Sequence, residues 1–150
     1  MRAVLQRVSS ASVSVEPDYE SHIGCGLLIL LGVEDADTDD DIQWLVRKIL
    51  NMRIFSDDEG KMNLSLLDKD YEVLVVSQFT LHASTKKGNR PSFIKAAKPD
   101  YAEVMYNKFT NEVSKHMAKE VKTGIFGGEM KVELVNEGPV TIIIESKEKN

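Results

Sequence analysis

A lone cysteine, Cys25, is all the thiol that these 150 residues carry, so an internal disulfide framework and a cysteine-built metal cluster are both excluded. Cys25 lies in the apolar stretch IGCGLLILLG and is expected to be a small buried hydrophobe rather than a nucleophile. No apolar run is long enough to cross a membrane. The opening MRAVLQRVSSASVSV alternates apolar and polar residues, a strand pattern without the unbroken apolar stretch of a signal peptide, and a cytoplasmic location is the expectation. A G-x-S-x-G elbow, a phosphate-binding glycine loop and an H-E-x-x-H pair are all missing. The three histidines, His22, His82 and His116, are isolated, and each reads as a surface or core-edge residue. No ligand cluster suggests a metal, and no cofactor is expected.

The chain is 42% hydrophobic, enough for one domain over residues 1–150 with a proper core. Its net charge of −5 argues against a non-specific nucleic-acid binder, which is usually basic. The charges are segregated, however. EDADTDDD, Glu34 to Asp41, is nearly all acid, whereas Val73 to Pro99 has no acid and carries Lys86, Lys87, Arg90, Lys95 and Lys98. A local basic stretch can meet phosphate on an acidic protein, because screening makes near charges count most. A solvated loop explains it equally well.

Met1 to Val8 and Ala11 to Glu16 read as a strand pair, and Ile23 to Val33 as a buried central strand. Thr38 and Asp41 fit a capping box that opens a helix with the apolar stripe Ile42, Leu45, Val46, Ile49 and Leu50, Trp44 standing at the core edge. RIFSDDEGKMNLSL reads as a short strand and a polar turn, and YEVLVVSQFTL as a strong strand. Pro99 opens a second helix with the stripe Ala102, Met105, Tyr106, Phe109, Val113 and Met117. The pattern predicts an α+β fold: a mostly antiparallel, barrel-like sheet with two main helices.

Two stretches resist a purely architectural reading. Ser77-Gln78-Phe79-Thr80 ends a strand in hydrogen-bonding groups at the rim of the sheet, where binding and catalytic groups concentrate. Alternation puts Gln78 and Thr80 on one face, Ser77 and Phe79 on the other. Gln78 is an uncharged donor that could hold a developing oxyanion; Thr80 is a weak nucleophile with no evident base. The second stretch is Val132 to Ser146, VELVNEGPVTIIIES, in which two strand-forming runs flank a Gly-Pro pair. Taken alone the pair reads as a turn.

SQFTL at Ser77 to Leu81 and NEGPVT at Asn136 to Thr141 resemble the two signature motifs of D-aminoacyl-tRNA deacylases. QRV at Gln6 to Val8, GLLILLGV at Gly26 to Val33, RIFSDDEGKMN at Arg53 to Asn63 and KGNRPSF at Lys87 to Phe93 extend the similarity over essentially the whole chain. The resemblance implies a homodimer that hydrolyses the ester between a D-amino acid and the 3′-terminal adenosine of tRNA. It implies that the Gly138-Pro139 peptide is cis and reaches into the partner's site, with Arg7 fixing its orientation. Gln78 and the N–H groups of Phe79 and Thr80 would line the carbonyl oxygen; Ser77 and Phe79 would help seat the adenosine, Met130 would form an apolar wall, and Lys86, Lys87 and Arg90 would touch tRNA phosphates. A backbone wall at the substrate's α-carbon would exclude L side chains, read no side-chain identity, and leave glycine unrejected. Two rival readings remain: a general small-ester hydrolase using Thr80, and a non-catalytic tRNA-binding module.

Overall fold

The first fifteen residues form one strand rather than the expected pair. In the computed structural model, which describes residues 1–149, β1 spans Arg2–Val15 and buries Ala3, Leu5, Val8, Ala11 and Val13. The polar interruption at Ser9-Ser10 marks a register shift against a neighbouring strand, not a reversal of the chain. β2 (Tyr19–Ile23) folds back on the second half of β1, and β3 (Gly26–Gly32) pairs antiparallel with the first half. Cys25 is exposed, not buried as expected: the apolar run is split, buried Ile23 ending β2 and Gly26 starting β3, and Cys25 sits in the link between them.

The central run reads as continuously apolar because both of its faces are covered. Leu27, Ile29 and Leu31 share a core with the stripes of helices α1 (Asp39–Asn51) and α3 (Pro99–Lys115). Leu28 belongs to a second cluster with Val8, Val13, Leu74 and Val76 on the other face. The predicted stripe of α1 is wholly buried, and that of α3 is buried from Ala102 to Val113; Met117 lies beyond the helix end but still packs on the core. Asp41 closes the start of α1, accepting the Thr38 N–H at 2.8 Å. Burial pushes the Asp41 carboxyl up, but bonds from Lys147, Ser146 and Thr38 outweigh it and hold the group well below the usual carboxylate range. Asp37 is buried against the Met1 ammonium. Part of the acidic run is therefore internal scaffolding.

A small hairpin follows, β4 (Phe55–Ser56) and β5 (Met62–Leu64), its tip held by Asp57 Oδ1 accepting the N–H groups of Glu59 and Lys61 at 2.9 Å. Then come the one-turn helix α2 (Leu66–Lys69) and β6 (Glu72–Ser77). β6 runs parallel to β3, from Gly26 opposite Glu72 to Leu31 opposite Ser77, and β7 (Lys122–Thr123) runs parallel to β6. The nearly closed, barrel-like sheet is thus mixed, which corrects the expectation of a mostly antiparallel one, and a third short helix joins the two main ones. The reason is connectivity: the chain between β3 and β6 is long enough, with α1 in it, to cross over and return in the same direction.

β8 (Lys131–Glu145) is the largest departure from the local reading. Both apolar runs of the Gly-Pro stretch lie along β1 in one direction, so the pair is not a turn. Val8 pairs with Asn136 and Gln6 with Thr141, so residues 137–140 stand opposite Arg7 alone. Gly138-Pro139 occupies a protruding bulge, where no ladder bond is asked of the proline. No helix of the described residues is long and apolar enough to cross a membrane.

Candidate active site

The parallel pairing of β6 with β3 brings the first motif to the sheet's rim. Gln78 N–H still donates to the Leu31 carbonyl at 2.8 Å, but Gln78 leaves the strand with φ −144° and ψ 76°, and Phe79–His82 close a 3-10 turn. The turn replaces the strand alternation expected for these residues. Gln78 and Thr80 are neighbours all the same, Gln78 Nε2 donating to Thr80 Oγ1 at 2.5 Å. Among the described residues no carboxylate or imidazole hydrogen-bonds Thr80 Oγ1. The first N–H groups of such a turn lack intrahelical partners, and here they belong to Phe79 and Thr80.

Beside this turn opens a cavity of about 630 Å³, lined by Ser77, Gln78, Phe79 and Met130 among the expected residues. Its wall also includes Phe93, Phe126, Ala97 and Pro99, the last at the start of α3, none of which the sequence reading places in the site. Phe93 lies inside the KGNRPSF segment, so a signal for it exists; Phe126 lies in the glycine-rich GIFGG, which carries none. Phe79 and Phe93 meet edge to face at 5.2 Å, with Phe79 54% exposed, which leaves an aromatic surface open at the cavity mouth.

The second motif lies elsewhere on the same chain. Gly138 and Pro139 do not line this cavity. The Gly138-Pro139 peptide is cis, and Gly138 has φ +130°, a region that L side chains rarely enter. Arg7 holds the bulge from behind: its Nε donates to the Glu137 carbonyl at 2.9 Å and its Nη1 to the Ile54 carbonyl at 2.7 Å. The family model described as D-Tyr-tRNA(Tyr) deacylase matches residues 4–145. The chain belongs to that family. As a deacylase-family chain it is 60% identical over 149 residues to the D-aminoacyl-tRNA deacylase of Christiangramia forsetii and 58% to that of Flavobacterium johnsoniae, covering 99% of each chain in both cases. Among solved structures it matches the c-Myc DNA unwinding element binding protein with 46% identity and a TM-score of 0.91, over 97% of this chain and 98% of that one. A probable eukaryotic D-amino acid tRNA deacylase shares the fold at 21% identity and a TM-score of 0.82, over 95% and 97% of the two chains.

Lys86, Lys87 and Arg90 of this deacylase-family chain lie on one loop. Ser84 and Ser92 exchange two backbone bonds of 2.8 Å and close a loop whose tip exposes Lys86, Lys87 and Arg90. Phe93 follows directly, so the loop's base stands at the cavity mouth.

Proposed function

We infer that this chain is a D-aminoacyl-tRNA deacylase, an ester hydrolase that releases a D-amino acid from mischarged tRNA and so removes it from translation. Membership of the deacylase family over nearly the whole chain carries the reading. It works, on this reading, as a cytoplasmic homodimer, with Gly138-Pro139 of one subunit completing the site of the other. Two observations support the second copy. The site motif and the Gly-Pro bulge occupy different places on one chain, and among the described residues β8 pairs only with β1 while presenting exposed Val135 and Ile143.

In the assembled site the terminal adenosine enters the apolar cavity, seated by Ser77, Phe79 and Met130. The ester carbonyl points at Gln78 and at the N–H groups of Phe79 and Thr80, which stabilise the oxygen as charge develops on it. The backbone of the partner's Gly-Pro bulge stands at the α-carbon, where an L side chain collides and a D side chain points away. Such a wall rejects by shape and ignores which D side chain is present. Glycine has nothing to reject. Purified protein incubated with matched aminoacyl-tRNAs is therefore expected to cleave D-Tyr and D-Ala esters alike, spare their L counterparts, and cleave glycyl-tRNA measurably at high enzyme concentration. Wholly resistant glycyl-tRNA beside rapid D-ester cleavage would defeat the wall as the source of chirality. Free D-amino acid esters turned over as fast as the tRNA substrates would favour the small-ester hydrolase, and no turnover at all the binding module.

Lys86, Lys87 and Arg90 meet the phosphates of the acceptor arm. Changing all three to Ala is expected to raise the Kd for tRNA and to flatten its salt dependence by about 0.7–0.9 in log–log slope for each phosphate left without its cation. An unchanged slope removes the loop from the interface.

A further inference from the structure

The geometry points to His82 as a positioning residue, a buried imidazole wedged between the 79–82 turn and the end of β3 that fixes where Gln78 and Thr80 stand. This rests on the proposed roles of Gln78 and its neighbours. His82 is 5% exposed although exposed Phe79 and Thr80 lie just before it in the turn. Its ring lies against the backbone of Gly32. A Cβ on Gly32 would stand 3.0 Å from His82 Cδ2, 3.1 Å from its Nε2 and 3.2 Å from the Gln78 carbonyl oxygen. Ring, Gln78 carbonyl and Gly32 backbone thus meet at one point, and the same carbonyl accepts the Leu81 N–H at 3.2 Å to start the turn. On its other side His82 Nδ1 faces Glu34 Oε1 at 3.4 Å. Glu34 bridges Ala96, and the Val33 carbonyl accepts the Ala97 N–H at 2.9 Å. The imidazole therefore links the turn bearing Gln78 to the segment whose Ala96 and Ala97 line the cavity.

The seat suits a neutral ring. His82 Nε2 is buried without a hydrogen-bond partner. Burial lowers the His82 pKa from its ordinary value; the Gly32 backbone and Glu34 pull it back up, while Arg2 and the Met1 ammonium oppose them. Of the other charges around this small pocket, Glu145 is paired with Arg2 and Lys147 with Asp41. Because the folded-state pKa is depressed, the neutral seat is intact above the unfolded value of about 6.5 and is lost as pH falls through the lower folded value. Protonation puts a positive charge on a ring that is 5% exposed, and the ring shifts against the Gln78 carbonyl.

The test is kcat and KM for D-aminoacyl-tRNA across acid to neutral pH, in the wild type and in His82→Gln and His82→Ala. The wild-type kcat should show an acid limb whose midpoint lies below the ordinary imidazole value of about 6.5. His82→Gln, which cannot titrate, should lose that limb, and His82→Ala should drop kcat about tenfold at neutral pH with KM nearly unchanged, a misplaced rather than a missing group. Both variants keeping the wild-type kcat and the same acid limb would overturn the assignment. Should either variant fail to fold, NMR titration of the wild type decides. The Gln78 side-chain amide should shift with the midpoint of the His82 imidazole, and a Gln78 amide that ignores that titration overturns the inference. Failure of the underlying reading looks different: Gln78→Ala would then leave D-aminoacyl-tRNA hydrolysis untouched.

Discussion

Gly138→Ala is expected to lower kcat/KM for D-aminoacyl-tRNA by about 100-fold while leaving the chain folded, because an ångström of displacement in a positioning group costs that much. The physical reason lies in two facts about one position. At φ +130° an alanine is strained whatever space surrounds it. The added Cβ would also stand 2.9 Å from Arg7 Nη2, 3.0 Å from Val140 Cγ2 and 3.2 Å from the Val140 nitrogen. Arg7 cannot yield without loosening its grip on the Glu137 and Ile54 carbonyls, so the bulge itself must move. Gly138 and Pro139 are exposed and belong to neither buried cluster, so circular dichroism and the melting temperature should change little. A variant with wild-type rates and wild-type preference for D over L would show that the Gly138 backbone takes no part in selection.

A 2′-deoxy terminal adenosine is expected to slow hydrolysis by about 100-fold or more, as loss of a positioned proton-transfer group does. Thr80→Val should stay within about tenfold of wild type, whereas removal of a true nucleophile costs about a million-fold. The contrast follows from what Thr80 touches. Its Oγ1 accepts a bond from an amide, Gln78 Nε2, and an amide cannot take its proton. RNA brings its own hydroxyl beside the ester, which DNA lacks. The protein then needs only to position that hydroxyl and to hold the carbonyl oxygen, which Gln78 and the start of the 79–82 turn are placed to do. Normal turnover of the deoxy substrate, or collapse of activity in Thr80→Val, would return the chemistry to the protein.

Much of the molecule is legible in the sequence where the cause is local. The Thr38–Asp41 cap, the stripe of α1 and the buried central strand follow from spacing, because each is decided within a few residues. The SQFT motif is legible for the same reason: three polar groups close to one another in the chain stay close in space. What spacing misses is decided at a distance. β6 lies parallel to β3 because a crossover returns the chain, and nothing within β6 states that direction. Gly138-Pro139 reads locally as a turn, yet both flanking runs stay on β1, since a bulge opposite Arg7 absorbs the extra residues. Cys25 looks buried when the apolar run is read as one strand, whereas Gly24-Cys25 is the link before it. The roles of Phe126 and of the seat under His82 depend on segments that meet only in the folded chain.

The central claim is that the site is shared between subunits, and subunit mixing tests it most directly. Gly138→Ala and Gln78→Ala proteins, each nearly inactive alone, are unfolded together, refolded at equal concentration and assayed on D-aminoacyl-tRNA. About half of the dimers will be hybrids, and each hybrid has one intact site, so the mixture should recover about a quarter of wild-type activity if the wall acts across a two-fold interface. A mixture as inactive as its two parents, with hybrid dimers verified by mass spectrometry, would contradict it.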